Sequence, residues 1–275
     1  MESRTIVFAA ATLLASAASS LAAPPQLAYR PTPRDTTVDT YFGTRVPAPY
    51  QWMENLQDPR LAPWIAAQND FTDGYLSKLP LRAAFYANLR KLSNYPKEST
   101  PVQRGPWLFY TRNTGLQNQG VVFVRRGPTG EPRMLLDPNA LSHHGGIALA
   151  AWVPSPSGRY LAYALSVGGS DWETVHVMDV ATGAVLPHAV HWVKFSGLSW
   201  THDNRGFFYS RYPRPPEGKA IAIRLADQAL YYHGITQPQA QDRLIYRRPD
   251  LPQWIVDGQI SPNGRYLLFK SFSSP

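Results

Sequence analysis

The stretch Ala151-Trp152-Val153-Pro154-Ser155-Pro156-Ser157-Gly158-Arg159-Tyr160-Leu161-Ala162-Tyr163 decides the fold, because it recurs. Gly258-Gln259-Ile260-Ser261-Pro262-Asn263-Gly264-Arg265-Tyr266-Leu267-Leu268-Phe269 has the same form. Leu198-Ser199-Trp200-Thr201-His202-Asp203-Asn204-Arg205-Gly206-Phe207-Phe208-Tyr209 stands between them. Each copy reads as the end of one strand, a turn of Ser, Pro, Asn and Gly, and a second, aromatic-rich strand. Ser157 and Asn204 lie 47 positions apart, and Asn204 and Asn263 lie 59 apart. Self-similarity at roughly 40–60 residues, with about four strands per unit, marks a β-propeller. Units are expected from about Gly105 to Pro138, Ile147 to Val190 and His191 to Arg248. A fourth opens near Trp254 and reaches Pro275 after two strands. Trp152, Trp200 and Trp254 fall at similar places in successive units, which favours packing over a carbohydrate-stacking role.

Upstream the pattern changes. From Ala23 to about Asp58 the chain is proline-rich and irregular, and from Asp58 to Ser93 it is helical. Asp58 is placed to cap a helix with Pro59 at its first position. Leu61, Trp64, Ile65, Gln68, Phe71 and Tyr75 follow one face at helical spacing. After Leu79-Pro80, the apolar positions Leu81, Phe85, Leu89 and Leu92 mark a second helix. Before all of this, Arg4, the apolar run Ile6 to Ala18 and the small residues through Ala23 have the three-part layout of a secretory signal peptide, with Ser20-Leu21-Ala22 as the cleavage site. Residues 1–22 are therefore expected to be removed, leaving a periplasmic or secreted chain with no membrane segment.

Composition removes several function classes. The 275 residues include 26 Pro and 19 Gly, too few for a low-complexity chain, and aromatics at 12% supply a core. There is no Cys, so no disulfide framework. The formal charge is +8, but it is scattered: adjacent basic pairs occur only at Arg90-Lys91, Arg125-Arg126 and Arg247-Arg248. A nucleic-acid binder concentrates such charge in a stripe or patch, so none is expected as a partner. His143-His144 beside Gly145-Gly146 lacks a spaced third ligand, and neither a metal nor another cofactor is expected. His202-Asp203 sits in a turn, where Asp serves the backbone.

Several short motifs, in order, carry a family resemblance. They are Tyr41-Phe42-Gly43-Thr44-Arg45-Val46-Pro47-Ala48-Pro49-Tyr50-Gln51-Trp52-Met53-Glu54, Ala67-Gln68-Asn69, Asn94-Tyr95-Pro96-Lys97 and Asn113-Thr114-Gly115-Leu116-Gln117-Asn118-Gln119. Leu136-Asp137-Pro138-Asn139, Gly169-Ser170-Asp171-Trp172, Val193-Lys194-Phe195-Ser196 and Trp200-Thr201-His202-Asp203 continue the series. Together they resemble the prolyl oligopeptidase family of serine peptidases, from about Tyr29 to Arg265. The resemblance implies a mainly β chain. Residues 23–93 would be the N-terminal segment of an α/β-hydrolase domain, and residues 94–275 the first half of a seven-bladed propeller, about three and a half blades. It also implies cleavage of short peptides on the carboxyl side of proline, with the propeller gating access, in an enzyme that is a monomer when complete.

The catalytic chemistry itself is missing from the sequence. A Ser-His-Asp triad of this type needs a Ser on a sharp turn, usually within G-x-S-x-G. Gly168-Gly169-Ser170-Asp171-Trp172 comes nearest, with Trp where the second glycine belongs. No catalytic residue is therefore assigned, and the chain is expected to be an inactive N-terminal part of the enzyme. The resemblance does assign contacts. Phe195 matches an aromatic bordering the pocket for residues upstream of the scissile proline; an ordinary blade-core position is the alternative. Ile255 falls where the family places an apolar pocket residue. Asp171 falls at a propeller-to-hydrolase contact, or else caps a β-turn. A second reading of the chain, from another class, is an exported binding module that closes its propeller by oligomerising.

Overall fold

The computed structural model describes residues 27–142, 144–217, 220 and 223–273; the expected signal peptide lies outside them. Prolines keep the first described segment irregular until a short hairpin, β1 (Val38–Tyr41) and β2 (Thr44–Pro47), followed by a 3-10 turn at Gln51–Glu54. Helix α1 spans Leu61–Leu76 and α2 spans Arg82–Ser93. The helix start expected at Asp58-Pro59 is displaced to Leu61. Asp58 closes an Asx turn instead, its carboxylate accepting the Arg60 N–H at 2.9 Å, so the chain turns once more before helical geometry begins. One face of α1 packs on the arm: Trp64 donates to Thr32 Oγ1 at 3.2 Å and meets Trp52 edge-on at 6.5 Å, and Phe71 lies 5.1 Å from Tyr29. The apolar stripe of α2 stays open, with Phe85, Leu89 and Leu92 exposed by 62, 61 and 70%.

The first blade comprises β3 (Lys97–Glu98), β4 (Val102–Arg104), β5 (Trp107–Asn113), β6 (Val121–Arg126) and β7 (Arg133–Leu136). It starts before the Gly105 expected from sequence, because β3 and β4 both pair with β5 and are too short to show a period. The second and third units comprise β8 (Ile147–Pro154), β9 (Tyr160–Val167), β10 (Glu173–Asp179), β11 (Val190–Val193), β12 (Ser199–Trp200), β13 (Gly206–Arg211), β14 (Ala229–Gly234) and β15 (Arg243–Arg247). They are not separate sheets, as their periodicity suggests. β11 pairs with β10, and its Val193 also pairs with Arg211 of β13, joining all eight strands. The last pair is β16 (Trp254–Ile260) and β17 (Leu267–Ser273). The chain is mainly β, a partial propeller preceded by two helices.

The period of two along each strand builds the seams between blades. Leu161 and Tyr163 of β9 pack towards the first blade with Phe109, Val122 and Val124; Ala162 and Ala164 pack towards the third with Trp200, Phe207 and Tyr209. Val256 of the fourth blade closes on Phe208 and Leu230. Of the three aligned tryptophans, only Trp200 is fully buried; Trp152 and Trp254 are half-buried.

The recurring turn is the same object each time. Ser155 N–H donates to the Tyr160 carbonyl at 2.8 Å, Thr201 N–H to Gly206 at 2.9 Å and Ser261 N–H to Tyr266 at 2.8 Å. The fourth turn position is left-handed in all three: Gly158 at φ +74°, Asn204 at +59°, Gly264 at +71°. At Gly158 a Cβ would also collide with the Arg104 carbonyl and reach Trp107 Cδ1 at 2.9 Å. Adjacent turns are linked, since Asn204 Oδ1 accepts from both N–H and Oγ of Ser157 at 2.9 and 2.8 Å.

Candidate functional site

β4, β8, β12 and β16, one strand from each blade, face a common groove of about 830 Å³, lined by Arg104, Val153, Ser199, His202, Asp257 and Gln259 among others. Beside it, a smaller cavity of about 330 Å³ has walls from Ala150, Ser166, Ser170, Asp171, Glu173, Phe195 and Ser196. Here the structure brings together two of the three residues singled out in the sequence. Phe195 is 47% exposed, so its ring is not an interior blade position. Its φ of +54°, with +63° at Trp192, is a conformation that bulky side chains avoid. The surroundings over-determine it.

Four contacts from three blades hold this loop. Gln228 Nε2 donates to the Lys194 carbonyl at 2.7 Å, and Ser210 N–H donates to Ser196 Oγ at 2.7 Å. Gly197 N–H donates to Asp257 Oδ1 at 3.1 Å. Lys194 Nζ lies 3.3 Å from Asp171 Oδ2, and 5.1 and 5.2 Å from the ring centroids of Phe195 and Trp172. The ammonium therefore spans one carboxylate and two aromatic faces. Asp171 does not cap its β-turn; Ser170 Oγ does, accepting the Trp172 N–H at 3.0 Å. The Asp171 side chain is 65% exposed and open to a further partner. In the same cavity, burial and then the nearby Asp171 charge push the Glu173 carboxyl above its usual range.

Ile255 is placed differently. It is 6% exposed on β16, opposite Phe272, and does not line the Phe195 cavity. Its neighbour Val256 donates its N–H to Gln228 Oε1 at 2.7 Å. Lys194 and Gln228 are not legible in the sequence because their contacts cross blades; the family-like motif Val193-Lys194-Phe195-Ser196 is the one local signal.

The catalytic possibilities are equally concrete. Among the described residues, one His–carboxylate pair occurs: His233 Nδ1 lies 2.7 Å from Asp242 Oδ1. Both are buried, Asp242 also accepts the Tyr209 O–H at 2.6 Å, and His233 Nε2 meets no partner. Among the described residues no serine completes that pair. Ser170 sits in a turn between antiparallel strands, after Gly168 and Gly169 at positive φ, and not on a strand-to-helix elbow. The Asp203 carboxylate serves its turn, accepting from Thr201 Oγ1 at 2.6 Å and Arg205 N–H at 3.0 Å, which holds its pKa low. Among the described residues no group of three or more His, Asp or Glu gathers as metal ligands; His143 lies outside them.

Blades packed through side-chain seams around a shared groove, with an exposed aromatic loop at its margin, define a β-propeller chain. A family model described as "Prolyl oligopeptidase, N-terminal beta-propeller domain" matches residues 30–275. A prolyl endopeptidase from Elizabethkingia meningoseptica is 35% identical over 242 residues, covering 88% of this chain and 34% of that protein. Prolyl oligopeptidase A from Galerina marginata is 32% identical, covering 88% and 37%. Among solved structures, one from a study of two prolyl endopeptidases matches with a TM-score of 0.78 at 29% identity, over 89% of this chain and 36% of that one. Galerina marginata prolyl oligopeptidase B, bound to a 25mer macrocyclization substrate, matches with a TM-score of 0.73, also at 29% identity, over 89% and 37%. The chain belongs to the prolyl oligopeptidase N-terminal β-propeller family. It spans about a third of the length of these relatives.

Proposed function

We propose that this chain is the substrate-admitting part of an exported prolyl oligopeptidase-type serine peptidase. In this reading, hydrolysis after proline is performed by residues outside this chain, which has no peptidase activity alone. The observation that carries the reading is Phe195: an aromatic held half-exposed, at a costly φ, over a cavity beside the groove. A ring so presented can stack on a proline ring or an apolar side chain of a short peptide. Ile255, buried on β16, would contribute an apolar surface to peptide binding from the fourth blade. Asp171, with its exposed carboxylate, would meet a basic group of the catalytic domain. The blades around the groove would limit entry to short peptides.

The test is to place the photo-crosslinker benzoylphenylalanine at position 195 and irradiate with a proline-containing pentapeptide. Capture that a fivefold excess of unlabelled peptide suppresses is the expected result. Turnover of a chromogenic prolyl peptide by this chain, blocked by a serine-directed phosphonate, would overturn the inactivity. For export, the amino terminus of chain recovered from a bacterial periplasm is expected to begin after Ala22.

A further inference from the structure

We propose that Gln228 is a positioning residue that fixes the Phe195 loop of the third blade against the Ile255 strand of the fourth. Gln228 is 2% exposed, and both ends of its amide are used. Nε2 donates to the carbonyl of Lys194, the residue before Phe195, and Oε1 accepts from the N–H of Val256, the residue after Ile255; both distances are 2.7 Å. A planar amide has a fixed separation between donor and acceptor. It therefore sets the spacing of the two positions to which the proposed peptide contact was assigned, and the proposal rests on that reading for its link to substrate. The strained φ of Phe195 makes the anchor consequential, because a loop in that conformation relaxes when its neighbours let go.

A second glutamine shows what an amide clasp does without this duty. Gln119 stands just before β6, as Gln228 stands just before β14, and also uses both amide ends. It donates to the Ile147 carbonyl at 2.6 Å and accepts from the Leu149 N–H at 2.8 Å. Both of those groups belong to β8, so Gln119 fastens one blade to the next and touches no strained loop. Gln228 fastens the fourth blade in the same manner, but its other end holds Lys194. The lysine is thus gripped at its carbonyl by Gln228 and at its ammonium by Asp171.

The experiment uses the 275-residue chain with 4-fluorophenylalanine at position 195, read by fluorine NMR with and without acetyl-Ala-Ala-Pro-amide. Gln228→Met keeps the volume and removes both bonds. The 195 resonance is expected to shift and broaden in the free chain, and affinity for the tripeptide to fall tenfold or more. Gln119→Met is the structural control, expected to lower the unfolding midpoint similarly and to leave the 195 resonance in place. Gln228→Glu supplies the rescue. As a neutral acid it can donate to Lys194 and accept from Val256, whereas as a carboxylate it faces the Lys194 carbonyl. Its 195 resonance should return to the native position on acidification, after subtraction of the unsubstituted chain's own response from Asp171 and Glu173. An unmoved resonance in Gln228→Met, an equal displacement in Gln119→Met, or no acid recovery in Gln228→Glu overturns the proposal. If Gln228→Met does not fold, the Gln228→Glu series decides alone. If the tripeptide fails to move the resonance of the unsubstituted chain, the substrate reading falls while the ligand-free comparison still judges Gln228.

Discussion

Asp242→Ala is expected to be among the most damaging single substitutions in the third blade, and the structure gives its size. The Asp242 side chain is 1% exposed; its two oxygens accept from Tyr209 Oη at 2.6 Å and His233 Nδ1 at 2.7 Å. Gln239 extends the network, donating to Tyr209 Oη at 3.3 Å and to the His191 carbonyl at 2.9 Å. One carboxylate thereby ties β13 and β14 to the loop before β15, and reaches β11 indirectly. Removing it strands two buried donors, each at a cost of about 1–3 kcal/mol. The two together come to about 2–6 kcal/mol, less what relief of the buried carboxylate's own desolvation returns. A loss of about 4 kcal/mol is the working figure. Tyr209→Phe removes one bond and leaves the carboxylate its histidine, so about 1–2 kcal/mol is expected. Equilibrium urea unfolding followed by tryptophan fluorescence measures both, provided the slope with denaturant is unchanged. In the double variant, Tyr209→Phe should add little, since its acceptor has already gone. A loss below about 1 kcal/mol for Asp242→Ala, or strict additivity of the pair, would refute the network as the source of stability.

Gly158→Ala forces a Cβ against the Arg104 carbonyl and Trp107 at φ +74°, whereas Gly183→Ala meets open space at φ +75°. The first should cost about 2–4 kcal/mol and the second about 1, by thermal denaturation; equal losses would show that inter-blade crowding is not the cause. Burial, and then Asp242, hold the Tyr209 phenol far above its ordinary pKa, so the native state keeps a proton that the unfolded chain releases near pH ~10. Its stabilisation is complete below that pH and declines above it; urea titrations between pH 8 and 11 should show a shallower decline in Tyr209→Phe. In the arm, hydrogen bonds from Arg60 lower the Asp58 carboxyl to about 2. That contribution is present above the ordinary carboxylate range and is lost as pH falls towards 2. A carbon-detected NMR titration should place its midpoint there, and Arg60→Gln should raise it part of the way to the usual range, since the backbone N–H of residue 60 still donates to the carboxylate.

The hairpins that define the blades were legible because their turns impose a local requirement. Gly158, Asn204 and Gly264 occupy the left-handed position, and the strands after the first two, Tyr160–Val167 and Gly206–Arg211, are short, nearly continuous apolar runs, as strands covered on both faces are. What stayed hidden is non-local. β3 and β4 have two and three residues, too short for any period. The fusion of the second and third units rests on a single pairing, Val193 with Arg211. Gln228 finds its partners 34 and 28 residues away, and Asp242 finds Tyr209 33 residues away; neither has a neighbour that announces it. The stripe on α2 revealed a helix but not what it packs against, since a stripe encodes a face and not a partner. Phe195 was found through a four-residue motif, while the loop that presents it depends on Gln228, Ser210 and Asp257 from elsewhere in the chain.

The Asn204 turn carries a lesson about how repeats drift apart. Its two counterparts are glycines, the residue a left-handed position prefers, and Asn204→Gly would make the three copies more alike. It would also erase the acceptor that Ser157 uses twice, since that side chain reaches the neighbouring blade through Oδ1 while its Nδ2 donates to the His202 carbonyl of its own turn at 3.1 Å. Perfecting the copy would then loosen the array. Selection on such a chain acts on the joints as well as on the units, so the positions where the copies disagree are where an engineer building an idealised propeller should copy nature and not the consensus.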